Sequence, residues 1–226
     1  MESNNIYIGF DFSMNKPACT IYYDKKFYFL FWPISLPKST HKLMEESGVY
    51  VFNRNLKSID TSEADNTQLV LIHTIRSTEL ANKIIEDIDH YIIDIFSLDG
   101  KEYDIYVCSE GLSYSSKGDA TLNLATYKGV LLSKIYEHYD EHLKRLFTYS
   151  PNTLKSTAGC AGKELCGDKK NMIKAFARES IVNSVFQQNI AAGLFMAKKN
   201  YMTGVDDIAD SYWALKTMVI KEKLSF

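Results

Sequence analysis

The sequence predicts an α/β fold on a mixed sheet, with an antiparallel meander first and parallel crossovers after. Three observations lead there. Short, β-prone apolar runs occupy residues 6–12, 18–23 and 26–32, the last two separated only by Asp24 and Lys25. Apolar residues then recur at helical steps over 78–96. Two further short strands, at 104–109 and 146–149, alternate with helical patterns through the rest of the chain.

Each element has its own signal. The first strand ends at Asp11, and the Asp24–Lys25 junction is short enough for a hairpin. Residues 33–68 break the pattern with Pro33, Pro37 and a polar stretch from Asp60 to Gln68; only 49–52 reads as a strand, so this region is expected to be an insertion. A further strand is expected at 69–75. The helix over 78–96 carries Leu80, Ile84, Ile88, Ile92 and Ile95, with Ser77 as its expected N-cap. Glu110 closes the strand at 104–109. Gly118 and Asp119 open another helix, with Leu122, Ala125, Gly129, Leu132 and Tyr136 on one stripe. Ser150 followed by Pro151 starts a short helix in a favoured way. Residues 159–168 form a glycine-containing loop, Asp168 is expected to cap a helix over 169–185, and a last helix covers about 207–221.

The 226 residues suit one domain, here 1–226 with an insertion at about 33–68. Apolar residues make up 46% and charged residues 24%, enough for a core without staples. No apolar run is long enough to span a bilayer, and the polar start lacks the order of a signal peptide, so a soluble intracellular protein without membrane partners is expected. Cys19, Cys108, Cys160 and Cys166 form no CxxC pair and read as reduced thiols rather than a zinc site. The net charge is −2, yet residues 151–178 hold Lys155, Lys163, Lys169, Lys170, Lys174 and Arg178 against only Glu164 and Asp168. A solvated helix face explains such a patch by itself; phosphate contact also depends on local excess rather than on the whole-chain sum.

Four carboxylates stand out. Asp11 and Glu110 fall at or just after strand ends, and Asp207 and Asp210 lie three apart near a helix start, hence on one face. A rigid sheet fixes side chains at its strand ends, and a cluster of carboxylates is the usual protein half of a two-metal site. Each acid has a plainer role open to it. An Asp at a helix start ordinarily caps it or balances its dipole, and Glu110 before Gly111, taken alone, ordinarily reads as a loop acid. Asp11 is harder to explain so, because an ionised group inside an apolar strand costs free energy unless paired or metal-bound.

Taken together, the segments IGFDFSMNKPACTIYY, YVCSEGLSYSSKGDATLNLATYKGVLLSKIYE, FTYSPNTLKSTAGCAGKELCGDKKNMIKAF and DDIADSYWAL resemble, in order and approximate spacing, those of the RuvC family of Holliday-junction resolvases. The resemblance covers most of 6–32 and 104–218 and implies an RNase H-like mixed five-stranded sheet flanked by helices. It implies that Asp11, Glu110, Asp207 and Asp210 are catalytic and hold Mg²⁺ or Mn²⁺, two ions per site. It makes Lys155 and Lys169 active-site lysines, with Lys170 a rival for Lys169. It also implies a DNA-binding set of Tyr114, Lys117, Lys128, Lys155, Lys163, Lys169, Lys170 and Lys174. The activity implied is a homodimer that nicks opposed strands of four-way DNA junctions, with no nucleotide cofactor. The family's Pro-Gly-Ser after the first Asp is replaced here by Phe12, Ser13 and Met14, and its wedge aromatic by Ser113, with Tyr114 next. The composition and divergence suggest a phage or viral member. Two other readings share the fold core: a nuclease acting on flaps, other branched DNA or RNA–DNA hybrids, and an actin-like ATPase or sugar kinase. The second needs a further glycine-rich phosphate loop, which Gly159–Glu164 imitates only loosely.

Overall fold

A computed structural model describes residues 4–54, 65–112, 119–161 and 169–226, apart from the side chains of 66, 119–122 and 169. The chain begins with the antiparallel meander β1 (Asn4–Asp11), β2 (Ala18–Tyr23) and β3 (Lys26–Phe31). Asp24 and Lys25 both take positive φ, the requirement of a two-residue hairpin turn. Helix α1 (Lys38–Glu46) and strand β4 (Val49–Val51) follow. Next come α2 (Asn66–His90), β5 (Tyr103–Glu110), α3 (Asp119–Tyr139) and β6 (Leu143–Tyr149). The chain ends with α4 (Pro151–Thr157), α5 (Lys169–Phe176), α6 (Val185–Ala191), the small hairpin β7 (Met196–Ala197) and β8 (Asn200–Tyr201), and α7 (Val205–Lys221).

The main sheet has the order β4-β3-β2-β1-β5-β6. β1 pairs antiparallel with β2 and β2 with β3, whereas β1–β5, β5–β6 and β3–β4 are parallel. This is the RNase H-like arrangement, with one strand more than the expected five. The extra strand is β4, from the stretch expected to be an insertion, which extends the sheet beyond β3. At the far edge β6 leaves Lys144, Arg145, Leu146 and Thr148 exposed, and the β5–β6 register shifts at Ile105 and Tyr106.

Three local expectations give way here. The strand expected at 69–75 lies inside α2. Asp65, not Ser77, caps that helix: its carboxylate accepts from the Gln68 amide at 2.8 Å, and the Gln68 side chain accepts from the Asp65 amide at 2.9 Å. Val70, Leu71 and Ile75 remain exposed, so their apolar character never reported a buried strand face. At its other end α2 runs into a π-helical turn, Tyr91–Ile95, where the Phe96 amide donates to the Tyr91 carbonyl at 2.8 Å. The helix expected over 169–185 stops at Phe176. The Gln187 amide group donates to the carbonyls of Phe176 (2.5 Å) and Glu179 (2.6 Å), satisfying groups that a longer helix would have paired internally. Asp168, the expected cap, is outside the described residues.

Strand alternation divides the core in two. Ile6, Ile8, Phe10, Ile21 and Leu30 face α2 and α3. Tyr7, Phe29, Phe31 and Cys108 face α5, α6 and α7, meeting Phe176, Phe186, Tyr212, Trp213 and Leu215. The stripe of α3 that enters the core is Tyr127, Leu131, Ile135 and Tyr139; the one expected to, with Ala125, Gly129, Leu132 and Tyr136, faces outward, and Tyr136 is 60% exposed. Apolar residues occur all round this helix, so periodicity alone does not choose the face. No helix among the described residues is long and apolar enough to cross a membrane. Cys19, Cys108 and Cys160 are buried free thiols, and Cys166 is outside the described residues.

Helix α7 crosses the sheet over Gly9. A Cβ there would stand 2.3 Å from the Ser211 carbonyl oxygen and 2.6 Å from Leu215 Cβ. Gly9→Val is therefore expected to destabilise the fold by about 3 kcal/mol, the upper end of ordinary overpacking. Denaturant unfolding checks this, and an unchanged midpoint would show that α7 is free to lift.

Candidate active site

The position of the acids follows from the strand register. β1 and β5 are parallel neighbours with Phe10 beside Ser109, so the next residues, Asp11 and Glu110, stand side by side at the carboxyl ends of the two central strands. Adjacent strands lie about 4.8 Å apart. By alternation both acids share the face of Gly9, Tyr7 and Cys108, the face that α7 covers. Both are half-buried. Asp11 is also the partner of Ala18, so it sits where β1 turns towards β2.

Helix α7 brings the other two. It starts after Gly204, whose φ of 93° carries the chain into the helix. Ser211 is held over the sheet by a buried hydroxyl pair with Thr20 at 2.7 Å. Asp207, one turn earlier, and Asp210, the preceding residue, therefore lie towards the carboxyl end of β1. Asp207 is buried, and its carboxylate meets the Lys16 ammonium at 3.3 Å; Lys16 belongs to the loop that follows Asp11. Asp206 and Asp207 in the first turn also suit the positive end of the helix dipole.

The four acids thus share one end of the sheet, contributed by three separate elements. All are carboxylates, the hard oxygen donors that Mg²⁺ and Mn²⁺ prefer, so the donor chemistry fits such an ion. Among the described residues no three His, Cys, Asp or Glu groups close round a single point as a finished ion cage would.

The lysines divide. Lys155 lies in the last turn of α4, which starts where β6 ends, and Tyr149 at that end is the register partner of Glu110. Ser150 caps α4, accepting from the Thr153 amide at 3.3 Å, and Pro151 occupies the first turn as expected. Lys128 is buried on α3 and donates to the Glu110 carbonyl. Burial lowers its pKa, and Glu110, Cys108 and Asp11 partly restore it, in that order. A cleft of about 420 Å³ opens beside it, lined by Gly111, Leu112, Ala125, Lys128, Leu132 and Ser150 among others. Lys170 donates to the Lys199 carbonyl at 2.9 Å, and Lys174 is exposed. Tyr114, Lys117 and Lys163 lie outside the described residues, as does the side chain of Lys169.

Sequence reasoning missed Lys16, which has no neighbours in sequence to mark it and is picked out only by Asp207 across the fold.

No family model and no curated protein sequence matches the chain. Among solved structures it is similar to RuvC of Thermus thermophilus, at 11% identity over 96% of this chain and 95% of that one, with a TM-score of 0.45. The same protein in complex with Holliday junction substrate matches at 10% identity over 96% and 94%, with a TM-score of 0.45. The yeast mitochondrial Holliday junction resolvase matches at 14% identity over 95% of this chain and 77% of that one, with a TM-score of 0.47.

The pKa of Lys128 gives a test of the arrangement. Glu110→Gln removes the larger of its two carboxylate neighbours and leaves the burial, so the Lys128 pKa is expected to fall further below the usual lysine value. NMR titration of the Lys128 side chain reads the shift, and a rise would place Glu110 elsewhere.

Proposed function

We propose that this chain is a metal-dependent, structure-selective endonuclease that cuts four-way DNA junctions in opposed strands. The carrying observation is that Asp11, Glu110, Asp207 and Asp210, remote in sequence, share the carboxyl end of β1 and β5, with Lys155 and Lys128 on elements next to them. The motif resemblance, which names the same four acids and Lys155, supports it independently. A protein that only bound DNA would gain nothing from gathering four negative charges where phosphates must approach.

In this reading the four carboxylates hold two Mg²⁺ or Mn²⁺ ions, and Lys16 neutralises Asp207 in their absence. When bound, the ions supply an activated water and stabilise the leaving oxygen. Asp11 and Glu110, fixed by paired strands, set the position of the scissile phosphate. Asp207 and Asp210 close the site from α7. Lys155 faces the charge that develops on the phosphate, and Lys128 holds the Glu110 backbone in place. Lys169 fits the second active-site lysine better than Lys170, which is engaged with the Lys199 carbonyl. Tyr114, Lys117, Lys163 and Lys174 add DNA contacts. The chain acts as a single nuclease domain, inside a bacterial cell or infected host, and works as a homodimer. The apolar surface of α3 supports self-association: Leu124, Ala125 and Leu132 are half-buried, whereas Leu131 is fully buried in the chain's own core and Val130 packs against it.

The deciding experiment is cleavage of matched four-way, three-way, flap, linear duplex and RNA–DNA hybrid substrates with Mg²⁺ or Mn²⁺. Symmetric nicks preferred in the four-way junction support the proposal. Preference for flaps or hybrids would make the chain a different nuclease of this fold, and phosphotransfer from ATP would overturn it.

Two mutational outcomes are expected. Asp11→Asn, Glu110→Gln, Asp207→Asn and Asp210→Asn each lower cleavage by about 10²-fold or more while junction binding persists. Near-normal cleavage by Asp11→Asn would sink the site. Lys155→Ala depresses the single-turnover rate at saturating DNA, whereas Lys174→Ala weakens binding and reduces its salt dependence by about one unit. Equal effects on affinity, with no effect on rate, would reduce Lys155 to an electrostatic contact.

A further inference from the structure

On the α2 and α3 face, three nitrogen atoms are buried and have no hydrogen-bond partner among the described residues: Arg54 Nε, Arg76 Nε and His73 Nδ1. Arg54 follows β4, and its Nη2 donates to the Met14 carbonyl at 2.9 Å, in the loop that succeeds Asp11. His73 and Arg76 lie three apart on α2, hence on one side of that helix. All three gather around Tyr127 of α3. The His73 ring stands edge-on to it with centroids 6.1 Å apart, and both arginines act on its phenol electrostatically. The next residue, Lys128, carries the positive charge on to the Glu110 carbonyl.

Among the described residues no carboxylate pairs with Arg54, Arg76 or His73. Burial brings the pKa of the Arg54 guanidinium down to about 10, with Tyr127 acting against that. Two part-buried guanidinium groups without an anion are costly, and the cost is removed once a matching anion arrives. The planar N–H fork of arginine fits phosphate oxygens in particular. A proton on His73 Nδ1 would add a further donor.

We propose that Arg54, Arg76 and His73 form a binding site for a backbone phosphate of the nucleic-acid strand, on the opposite face of the sheet from Lys155. The identity of the anion rests on the nuclease reading; the presence of an anion site does not. The strand then crosses the carboxyl end of the sheet with phosphate contacts on both sides of the acids. The described stretch from the end of β3 to Arg54 acquires a purpose, because it delivers Arg54 to the cluster.

The test uses the full chain in the Asp11→Asn background, so that DNA stays uncut. Affinity for a labelled four-way junction is measured across a salt series for Arg54→Gln/Arg76→Gln and for Arg76→Gln alone, with thermal unfolding alongside. The double variant is expected to lose about tenfold in affinity, with a salt slope lower by about one unit and an unchanged or higher Tm. Arg76→Gln, the gentler change, is expected to show about half of the affinity effect on a logarithmic scale, and stands alone should the double variant fail to fold. Inorganic phosphate should compete with junction binding by the parent more strongly than by either variant at equal ionic strength. Unchanged affinity and slope, or a lower Tm in Arg76→Gln with binding intact, would make the cluster structural and overturn the site. Cleavage by the wild-type chain is scored separately. Cleavage with unaltered variant binding defeats this site alone; altered variant binding with no cleavage of any DNA defeats the nuclease reading alone.

Discussion

The contact of α7 with β1 governs the spacing of everything around it. Because Gly9 has no side chain, the Ser211 carbonyl rides directly on the strand, and the Thr20–Ser211 hydroxyl pair fixes the helix along its length. With that register set, Asp207 and Asp210 fall at the strand end where Asp11 waits. The rest of the α7 face is anchored to the same helix. Trp213 donates to the Met172 carbonyl at 3.1 Å, and Tyr212 and Lys216 both hold Glu179. Helix α5 and the turn after it therefore take their position from α7, and α7 takes its own from a missing methyl group. A helix one ångström higher would leave the central acids without their partners from the last part of the chain.

Much of this was legible in the chain, and the reasons differ by element. The meander and the positions of Asp11 and Glu110 could be read because β-prone runs and a two-residue turn leave few alternatives. Periodicity found α2 in its buried half, where Leu80, Ile84 and Ile88 all enter the core, but failed in its exposed half. There Val70, Leu71 and Ile75 look like a strand, and only the Asp65–Gln68 cap reveals the helix. The core face of α3 was misjudged by about half a turn, since apolar residues also line the cleft beside Lys128. β4 was visible as a strand, yet nothing local said that it would join the sheet. The acids could be proposed as a group because they resembled a known pattern. The ion pair of Lys16 with Asp207, and the gathering of Arg54, His73 and Arg76 on Tyr127, are products of tertiary packing that no spacing encodes.

The charges at the strand ends are sorted by layer. The acids occupy the face under α7, and Arg54, His73 and Arg76, which pair with no carboxylate among the described residues, occupy the face under α2 and α3, with Lys128 reaching between them. Such separation costs folding free energy, because each group would be more comfortable beside its opposite. Keeping them apart leaves two distinct fields, a negative one under α7 and a positive one under α2 and α3.

The two outer strands of the main sheet show how the protein meets its surroundings. β4 is three residues long, and β6 interrupts its exposed surface with Lys144 and Arg145 beside a register shift near the start of its pairing with β5. A short strand offers few free backbone groups to a stranger, and a charged, irregular one makes a poor template. The protein is thereby protected from lateral growth into stacked sheets, a hazard for any fold with an open six-stranded core. Loss of those two positive charges would surface less as a weaker fold than as precipitation at high concentration.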